Sequence, residues 1–234
     1  MATDRRFKNR MHAGKLLAVA LAPYAGRADA LVLALPRGGV PVGFAIARAL
    51  GLALDVLPVR KLGLPGHEEF AMGAIAGGGI RVLNMAAIRA HRIGREPIDA
   101  ACAREEHEIA RRERQYRGAR PEPGLAGRTA ILVDDGLATG STMCAAVRAG
   151  RARGAARVVV AVPAGAPDSC ATLAAQVDEL VCLIRPADFG AVSRWYREFG
   201  QTSDEEVQDL LAIAWRDQAL AQRSSTNASE RRQS

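Results

Sequence analysis

The sequence predicts an α/β fold in which a doubly wound, mainly parallel sheet is flanked by helices. Short apolar runs, typical of strands buried on both faces, occur at residues 31–35, 52–59, 129–133, 157–162 and 180–184. Helix-like segments separate most of these runs, so strand and helix alternate along the chain as in a parallel sheet. The chain has 234 residues, of which 49% are hydrophobic, and this is enough for one sizeable core.

The first elements are a helix, a strand, a second helix and a hairpin. Residues 9–22 are predicted to form a helix, and the strand at 31–35 ends in a Pro-Arg-Gly-Gly turn before a helix at about 40–50. Residues 71–76 and 80–84 are joined by three glycines. They predict a β-hairpin that stands off the parallel sheet.

A long charged helix is predicted at residues 98–117. Glu108 and Arg112, and likewise Glu113 and Arg117, are four residues apart and would form ion pairs on its surface. The interleaved charges favour a solvated, covering helix over a nucleic-acid contact.

The last third of the chain completes the core. Helices are predicted at about 142–152 and 168–176, and Ser-Asp-Glu-Glu at residues 203–206 is a capping box that starts a last helix to about 217. Residues 222–234 are rich in Ser, Arg and Gln and are expected to be disordered. No change in composition divides residues 1–217, so a single domain is expected.

Composition narrows the classes of function. The net charge is +7, but arginine is spread along the whole chain and only 4% of residues are aromatic. A nucleic-acid surface with stacking side chains is therefore not expected, whereas a small polyanion suits a basic surface. The four cysteines form neither a Cys-x-x-Cys pair nor a set with zinc-ligand spacing, which favours the reducing cytoplasm.

An exported or membrane-spanning chain is not expected either. The apolar run at residues 16–22 follows basic residues, as in a signal peptide, but it is short and begins beside Lys15. No stretch approaches the roughly 18 apolar residues of a membrane span.

The most informative motif is Ile-Leu-Val-Asp-Asp-Gly-Leu-Ala-Thr-Gly-Ser-Thr at residues 131–142. Asp134 and Asp135 follow a buried strand directly, and open α/β sheets bind their ligands at the carboxyl ends of strands. The turn at residues 136–142 can direct backbone N–H groups and the start of a helix toward an anion. A phosphate therefore fits this turn.

The two carboxylates make the expected ligand more specific. They would repel a phosphate unless a polar group or a cation separated them. A ribose 5-phosphate removes the conflict, because its phosphate lies on the turn while its vicinal hydroxyls donate to Asp134 and Asp135. The motif lacks the lysine of a nucleotide-binding P-loop. The alternative is a strand that ends in a solvated turn, with Ser141 or Thr142 capping the next helix.

This motif resembles the phosphoribosyl-pyrophosphate signature of type I phosphoribosyltransferases, and its tail at residues 138–143 is similar to adenine phosphoribosyltransferases. The turn at residues 36–39 resembles the first phosphoribosyl loop of the family. The resemblance covers about residues 10–217 and implies the type I phosphoribosyltransferase fold. That fold divides the chain into a core (about 30–185), an insertion (about 64–120), and a hood (about 185–200) with the C-terminal helix (203–217). The implied phosphoribosyl-binding residues are Asp134, Asp135, Gly136, Ala138, Thr139, Gly140, Ser141, Thr142, Arg37 and Gly38.

A second basic segment, Arg60-Lys61-Leu62-Gly63, follows the apolar run at residues 52–59. It matches the pyrophosphate loop of the family, so the resemblance implies that Arg60, Lys61, Leu62 and Gly63 bind pyrophosphate. Without the signature, Arg-Lys after a strand is more often a solvated turn. The predicted catalytic residues are Asp134, Asp135, Arg60 and Lys61.

Two further segments are assigned by the resemblance. Residues 63–70 stand where type I enzymes carry a mobile loop over the reacting centre, with His67 and Glu69 as candidates, although a simple connection is the alternative. Residues 185–192 resemble the hood that carries the base, with Phe189 as the stacking ring. The aromatic side chains expected to pack and fix this segment are Trp195, Tyr196 and Phe199.

The sequence also departs from the well-known members of the family. Ala138 stands where the 6-oxopurine enzymes have an aspartate that contacts the base, and the hood does not match the adenine enzymes. The whole pattern most resembles predicted phosphoribosyltransferases without an assigned acceptor.

The expected activity is transfer of 5-phosphoribosyl from phosphoribosyl pyrophosphate to a nitrogenous base, with release of pyrophosphate, in the cytoplasm. Mg²⁺ is the expected cofactor, bound mainly through substrate oxygens and through Asp134 or Asp135. Nucleic acid and membrane are not expected partners, and a homo-oligomer is compatible with the sequence. The alternatives are a non-catalytic sensor of phosphoribosyl pyrophosphate or a nucleotide, and hydrolysis or phosphorolysis at the anomeric carbon.

Overall fold

The computed structural model describes residues 6–64, 67–77 and 79–230, without the side chains of residues 64, 67–71 and 222–230. In chain order, the helices and strands are α1 (Arg10–Ala20), β1 (Ala30–Ala34), α2 (Gly39–Leu50), β2 (Ala53–Val56), β3 (Val59–Leu64), β4 (His67–Ala76), β5 (Ile80–Leu83), α3 (Met85–Ala90), α4 (Arg95–Arg117), β6 (Thr129–Val133), α5 (Ser141–Ala152), β7 (Arg157–Ala164), α6 (Pro167–Ala174), β8 (Glu179–Ile184) and α7 (Asp204–Glu230).

The main sheet has five strands in the order β2-β1-β6-β7-β8, and all neighbouring pairs are parallel. The strand order reverses at β1, because β2 lies on one side of it while β6 and all later strands lie on the other. The gap between β1 and β6 is thus the topological switch point at which open α/β sheets bind ligands. The predicted doubly wound, mainly parallel fold is confirmed.

Both faces of this sheet are covered, as the apolar runs predict. Val32 of β1 belongs to the cluster with α1, α2 and α7 on one face, whereas Leu31 and Leu33 belong to the cluster with α5 and α6 on the other. Every residue of β1 and of β6 is buried. The ends of these two strands are therefore held firmly where the site begins.

A separate antiparallel sheet, in the order β3-β4-β5, contains the predicted hairpin. Met72 and Ile75 of β4 pack with Ile88 of α3 and Ile109 of α4, so the insertion has a small core of its own. The hairpin of β4 and β5 is confirmed, whereas helix α3 was not among the predicted elements.

The single strand predicted at residues 52–59 is wrong, because the segment contributes to two sheets. Strand β2 ends at Val56, and β3 starts at Val59 in the antiparallel sheet. Pro58 lies between them and has no N–H group to donate to a sheet. Residues 60–63 consequently lie within β3 and not in a turn that follows β2.

The connection predicted at residues 63–70 is shorter than expected. Strand β3 continues to Leu64, which pairs with His67 at the start of β4. Residues 65 and 66, and the side chains of His67 and Glu69, lie outside the described residues. The mobility of this segment stays a prediction.

Helix α4 carries both predicted ion pairs. Arg112 Nε lies 2.8 Å from Glu108 Oε1, and Arg117 Nη1 lies 2.9 Å from Glu113 Oε1. The helix is more than a solvated cover, because Arg117 is buried and also forms an ion pair with Asp55 of β2. The Arg117–Asp55 ion pair therefore connects the last turn of α4, in the insertion, to the main sheet.

Helix α7 begins as the capping box predicts, with the backbone N–H of Glu206 donating to Ser203 Oγ at 3.1 Å. It then runs past the predicted end near residue 217 and through part of the segment expected to be disordered. Residues 218–223 are Ala, Leu, Gln and Arg, which all favour helix. Residues 231–234 lie outside the described chain. Neither α7 nor another described helix is both long and apolar enough to cross a membrane.

Candidate functional site

Two turns meet at the carboxyl edge of the main sheet, at the switch point between β1 and β6. Residues 36–39 follow β1, and Asp134 and Asp135 follow β6. A side chain at Gly38 would overlap the Asp135 carboxylate, and a Cβ atom at Gly39 would lie 2.6 Å from the last carbonyl oxygen of β6. Glycine at these two positions therefore lets the turns approach each other closely.

The two carboxylates are held from several directions. The backbone N–H of Asp135 donates to Asp134 Oδ1 at 2.8 Å. Arg10 of α1 reaches Asp135 Oδ2 with both Nε, at 2.9 Å, and Nη2, at 2.8 Å. The hydroxyl of Tyr196 donates to the backbone oxygen of Asp135 at 2.6 Å. The position of Asp135 is thus fixed at its backbone and at one side-chain oxygen.

Burial and the adjacent charges change the acidity of this pair. Burial, followed by the charge of Asp135, holds the pKa of Asp134 well above its usual range. Burial also raises the pKa of Asp135, and the Arg10 guanidinium offsets part of that rise. A ligand that brings hydroxyl donors or a cation would stabilise the ionised form of both groups.

The turn after the carboxylates is tied to the end of β7. The N–H of Leu137 donates to Ala164 O at 2.9 Å, and the N–H of Ala166 donates to Leu137 O at 2.8 Å. Ser169 Oγ donates to the oxygen of Ala138 at 2.5 Å. This turn is therefore an ordered part of the sheet edge.

Helix α5 begins at the end of the same turn with an open amino terminus. Its cap is Gly140, at a φ of 75°, and no side chain caps the helix. The predicted alternative, in which Ser141 or Thr142 caps the helix, is thus wrong. The first N–H groups of a helix lack partners within it, and they favour an anion. The exposed hydroxyls of Thr139 and Ser141 lie 3.3 Å apart beside them.

Two basic segments were predicted to bind phosphate groups, and they occupy different places. Arg37 belongs to the turn that touches Asp135; it lies 4.0 Å from Asp204 at the start of α7, and its side chain is 37% exposed. The Pro36–Arg37 peptide bond is cis. Arg60 lies on β3 and forms an ion pair with Glu105 of α4 at 2.7 Å.

The neighbours of Arg60 also belong to the antiparallel sheet. Lys61 is exposed, Gly63 is half-buried, and Leu62 is buried in the core of the insertion. The structure therefore brings Gly38 to the carboxylates, with Arg37 next to it in the same turn, while the segment from Arg60 to Gly63 belongs to the insertion.

The packing of the hood differs from the prediction that Phe189 stacks on the base. Phe189 is only 5% exposed and lies against Trp195, whose Nε1 donates to the backbone oxygen of Phe189 at 2.9 Å. This burial weighs against an open stacking ring at Phe189. Val192 of the hood packs against the signature, and its Cγ1 would lie 2.6 Å from a Cβ atom at Gly136.

Sequence reasoning missed Arg10 and gave Tyr196 only a packing role. Arg10 is more than a hundred residues from the signature, and nothing in its own segment indicates an acidic partner. For Tyr196 a signal existed, because a buried tyrosine hydroxyl usually finds a hydrogen-bond acceptor. Burial also raises the pKa of Tyr196, which keeps it a donor.

The site can be compared with known proteins. A family model described as the phosphoribosyl transferase domain matches residues 9–193. A provisionally named phosphoribosyl transferase of Mycobacterium tuberculosis H37Rv, Rv0571c, is 48% identical over 215 residues, which make up 92% of this chain and 48% of that protein. Its counterpart MT0597 from strain CDC 1551 matches equally. The chain thus spans about half the length of the curated relatives it matches.

A solved structure agrees over nearly its whole length. The crystal structure of TT1426 from Thermus thermophilus is 45% identical in sequence and superposes with a TM-score of 0.81. The match covers 88% of this chain and 97% of that one.

Proposed function

This chain belongs to the phosphoribosyl transferase domain family, and we propose that it transfers the 5-phosphoribosyl group of phosphoribosyl pyrophosphate to a nitrogenous base. One observation carries the proposal. Two carboxylates, an uncapped helix start and an arginine-containing turn converge at the switch point of the sheet. They match the ribose hydroxyls, the 5-phosphate and the pyrophosphate of one donor molecule.

The ribose assignment is supported by the number of acceptor oxygens. Among the described residues, the hydrogen bonds to the pair use one oxygen of each side chain: Asp134 Oδ1 accepts from Asp135, and Asp135 Oδ2 accepts from Arg10. Asp134 Oδ2 and Asp135 Oδ1 are left for a ligand. Two acceptors suit two vicinal hydroxyls, each of which would donate to one carboxylate.

The 5-phosphate would lie at the start of α5. The N–H groups of the first helical turn and the hydroxyls of Thr139, Ser141 and Thr142 supply donors, and the helix dipole favours a negative charge there. Gly136, Ala138 and Gly140 contribute backbone to the turn.

For the leaving pyrophosphate we favour the turn after β1. Arg37 and the N–H group of Gly38 would bind it, because this turn packs directly against Asp135. Arg60 and Lys61 keep a proposed secondary role. Arg60 would have to exchange the Glu105 carboxylate for a phosphate oxygen.

Mg²⁺ fits the donor set at this site. No cluster of three or more His, Cys, Asp or Glu side chains suited to a metal occurs in the described chain. Mg²⁺ commonly binds through one or two carboxylates together with substrate phosphates, and Asp134 or Asp135 offers such an oxygen. When bound, it would neutralise charge on the pyrophosphate.

The chain's own groups would act by orientation and charge. The bond between C1 of the sugar and a pyrophosphate oxygen breaks, a nitrogen of the base bonds to C1, and the base releases its N–H proton to solvent. The carboxylates hold the sugar and favour the positive charge that develops on it. Val192 and the neighbouring hood would cover the base.

The proposed location is the cytoplasm. All four cysteines are free in the structure, including Cys170 and Cys182, whose sulfur atoms are 3.8 Å apart. Unpaired thiols so close to each other are typical of a reducing compartment.

The decisive experiment measures pyrophosphate release. The protein is incubated with phosphoribosyl pyrophosphate, Mg²⁺ and a panel of purines, pyrimidines and nicotinate analogues. Release that requires one base supports the transferase and identifies the acceptor. Tight donor binding without release on any acceptor would favour the sensor, and release with water or phosphate alone would favour hydrolysis or phosphorolysis.

A further inference from the structure

Arg10 of α1 connects three separate segments of the molecule. It bonds twice to Asp135 Oδ2, and its Nη1 donates to the backbone oxygen of Gly200 at 2.6 Å. Its guanidinium also lies over the Phe199 ring, 3.9 Å from the ring centroid. The first helix, the signature and the end of the hood therefore meet at one side chain.

The Arg10–Asp135 ion pair is largely removed from solvent. The two side chains are 12% and 15% exposed, so neither charge is well screened by water. A guanidinium in such a place is stabilised by bonds that use its planar donors and by stacking on an aromatic ring. Arg10 has both, which gives it one defined orientation.

We propose that Arg10 is a positioning residue for the sugar of the donor, an inference that rests on the proposed function. Arg10 holds Oδ2 of Asp135, so Oδ1 is the oxygen left to accept from a ribose hydroxyl. Gly38 lies against the same oxygen, because a Cβ atom at that position would overlap Asp135 Oδ2. With the backbone oxygen held by Tyr196, the carboxylate has little freedom to turn.

The contacts with Phe199 and Gly200 give Arg10 a second effect. The hood is joined through Arg10 to the residue that binds the sugar, so the wall of the base site and the ribose site share one support. Neither the 5-phosphate turn nor the turn at residues 36–39 contacts Arg10 through a described hydrogen bond. Loss of Arg10 should therefore affect the sugar more than either phosphate group.

The test compares Arg10→Met, which keeps the length and loses the charge, with Arg10→Lys and with Lys15→Met. Lys15 is an exposed cation on the same helix and serves as the matched control. Donor and inorganic pyrophosphate affinities are measured by titration calorimetry in the presence of Mg²⁺. Arg10→Met should weaken donor binding by about 10- to 100-fold, the loss expected for a charge-assisted pair, and pyrophosphate binding by less than about twofold.

The other variants sharpen the result. Arg10→Lys should recover part of the donor affinity, because it restores the charge without the two-donor geometry. Lys15→Met should behave as the parent. Equal losses for donor and pyrophosphate would show a merely structural role, and unchanged donor affinity in Arg10→Met would overturn the proposal. If the parent protein itself binds no donor, the proposed function fails first, and the inference about Arg10 fails with it.

Discussion

Two groups of carboxylates in the described chain, one at Asp55 and one at Asp134 and Asp135, lie away from solvent and differ in how their charges are balanced. Asp55 of β2 is 3% exposed, and its Oδ1 accepts from Arg117 Nε at 2.8 Å and from a backbone N–H at 2.6 Å. Arg117 bonds in addition to Val56 O and to Glu113. This buried ion pair, with its several hydrogen bonds, therefore stabilises the packing of α4 against β2.

The carboxylates of Asp134 and Asp135 are adjacent like charges that share one cation, Arg10. Burial raises the pKa of both, and one oxygen of each is not used by the described hydrogen bonds. The charge of Asp55 is matched by Arg117 within the protein, whereas Asp134 and Asp135 are two adjacent negative charges that face Arg10. A buried acidic pair with excess negative charge therefore indicates a binding site, and a charge-matched carboxylate indicates a structural role.

The largest predicted effect comes from removing the cation that is paired with Asp55. Arg117→Met leaves Asp55 buried without its cation, and we expect the free energy of unfolding to fall by about 3–5 kcal/mol. The double variant Asp55→Leu with Arg117→Met should recover most of this loss, because it removes both charges. Urea unfolding measures these differences. A loss below about 1 kcal/mol in Arg117→Met would mean that water compensates the charge of Asp55.

A smaller free-energy change, measured as a loss of binding affinity, should follow from substitution of Asp134 and Asp135. Asp134→Asn combined with Asp135→Asn should weaken donor binding by roughly 100-fold, because each asparagine keeps a neutral acceptor and loses only the charge-assisted part of its hydrogen bond, about 1–1.5 kcal/mol. The thermal midpoint should change little, because the relief of repulsion between the two carboxylates offsets the loss of the Arg10–Asp135 ion pair. Titration calorimetry and thermal unfolding check both statements. Parent-like donor affinity would rule out the ribose assignment.

The third prediction separates the two basic segments. Arg37→Gln should weaken the binding of inorganic pyrophosphate by about tenfold, as expected for one charge-assisted contact. Arg60→Gln should change it by less than about twofold, because Arg60 already neutralises Glu105. The reverse order of effects would favour the pyrophosphate site that the sequence predicted at residues 60–63.

The smallest effect concerns pH. Burial raises the pKa of Asp134, so the folded state binds a proton more tightly than the unfolded state does. The free energy of unfolding should therefore fall as the pH rises from about 4, the ordinary carboxyl range, through the raised pKa. Asp134→Asn should remove this part of the fall and be more stable than the parent at neutral pH.

Urea unfolding of the ligand-free protein at several pH values provides the measurement. Asp209→Asn, which changes an exposed aspartate on α7, is the matched control and should keep the parent's pH dependence. If the free energy of unfolding falls equally with pH in Asp134→Asn and in the parent, Asp134 does not cause the fall.

Most of the fold and the centre of the site could be predicted because their signals are local. The five parallel strands are short apolar runs, and Asp134, Asp135 and the glycine-containing turn are consecutive in the chain. The capping box before α7 is equally local. The prediction of a single strand at residues 52–59 was wrong because this apolar run contributes to two sheets. Pro58 was the only residue in the run that indicated the boundary between them.

The remaining parts of the site depend on contacts between distant segments. Arg10 meets Asp135 only because α1 packs beside the hood, and no spacing in the sequence encodes that meeting. Phe189 was predicted to face a base because it is aromatic and follows the last strand. Its burial depends on Phe7 and Tyr196, which approach it only in the folded chain.

The pairing of Leu137 with the end of β7 has a consequence for the thermodynamics of binding. This residue forms a bridge with Gly165, whose lack of a side chain lets Leu137 and two cysteine sulfur atoms pack around it. The turn proposed to bind the 5-phosphate is thereby ordered during folding, so a ligand does not have to reduce the conformational entropy of the turn on arrival. A sugar phosphate should find a preorganised turn, and its affinity should come from direct contacts with little loss to loop ordering.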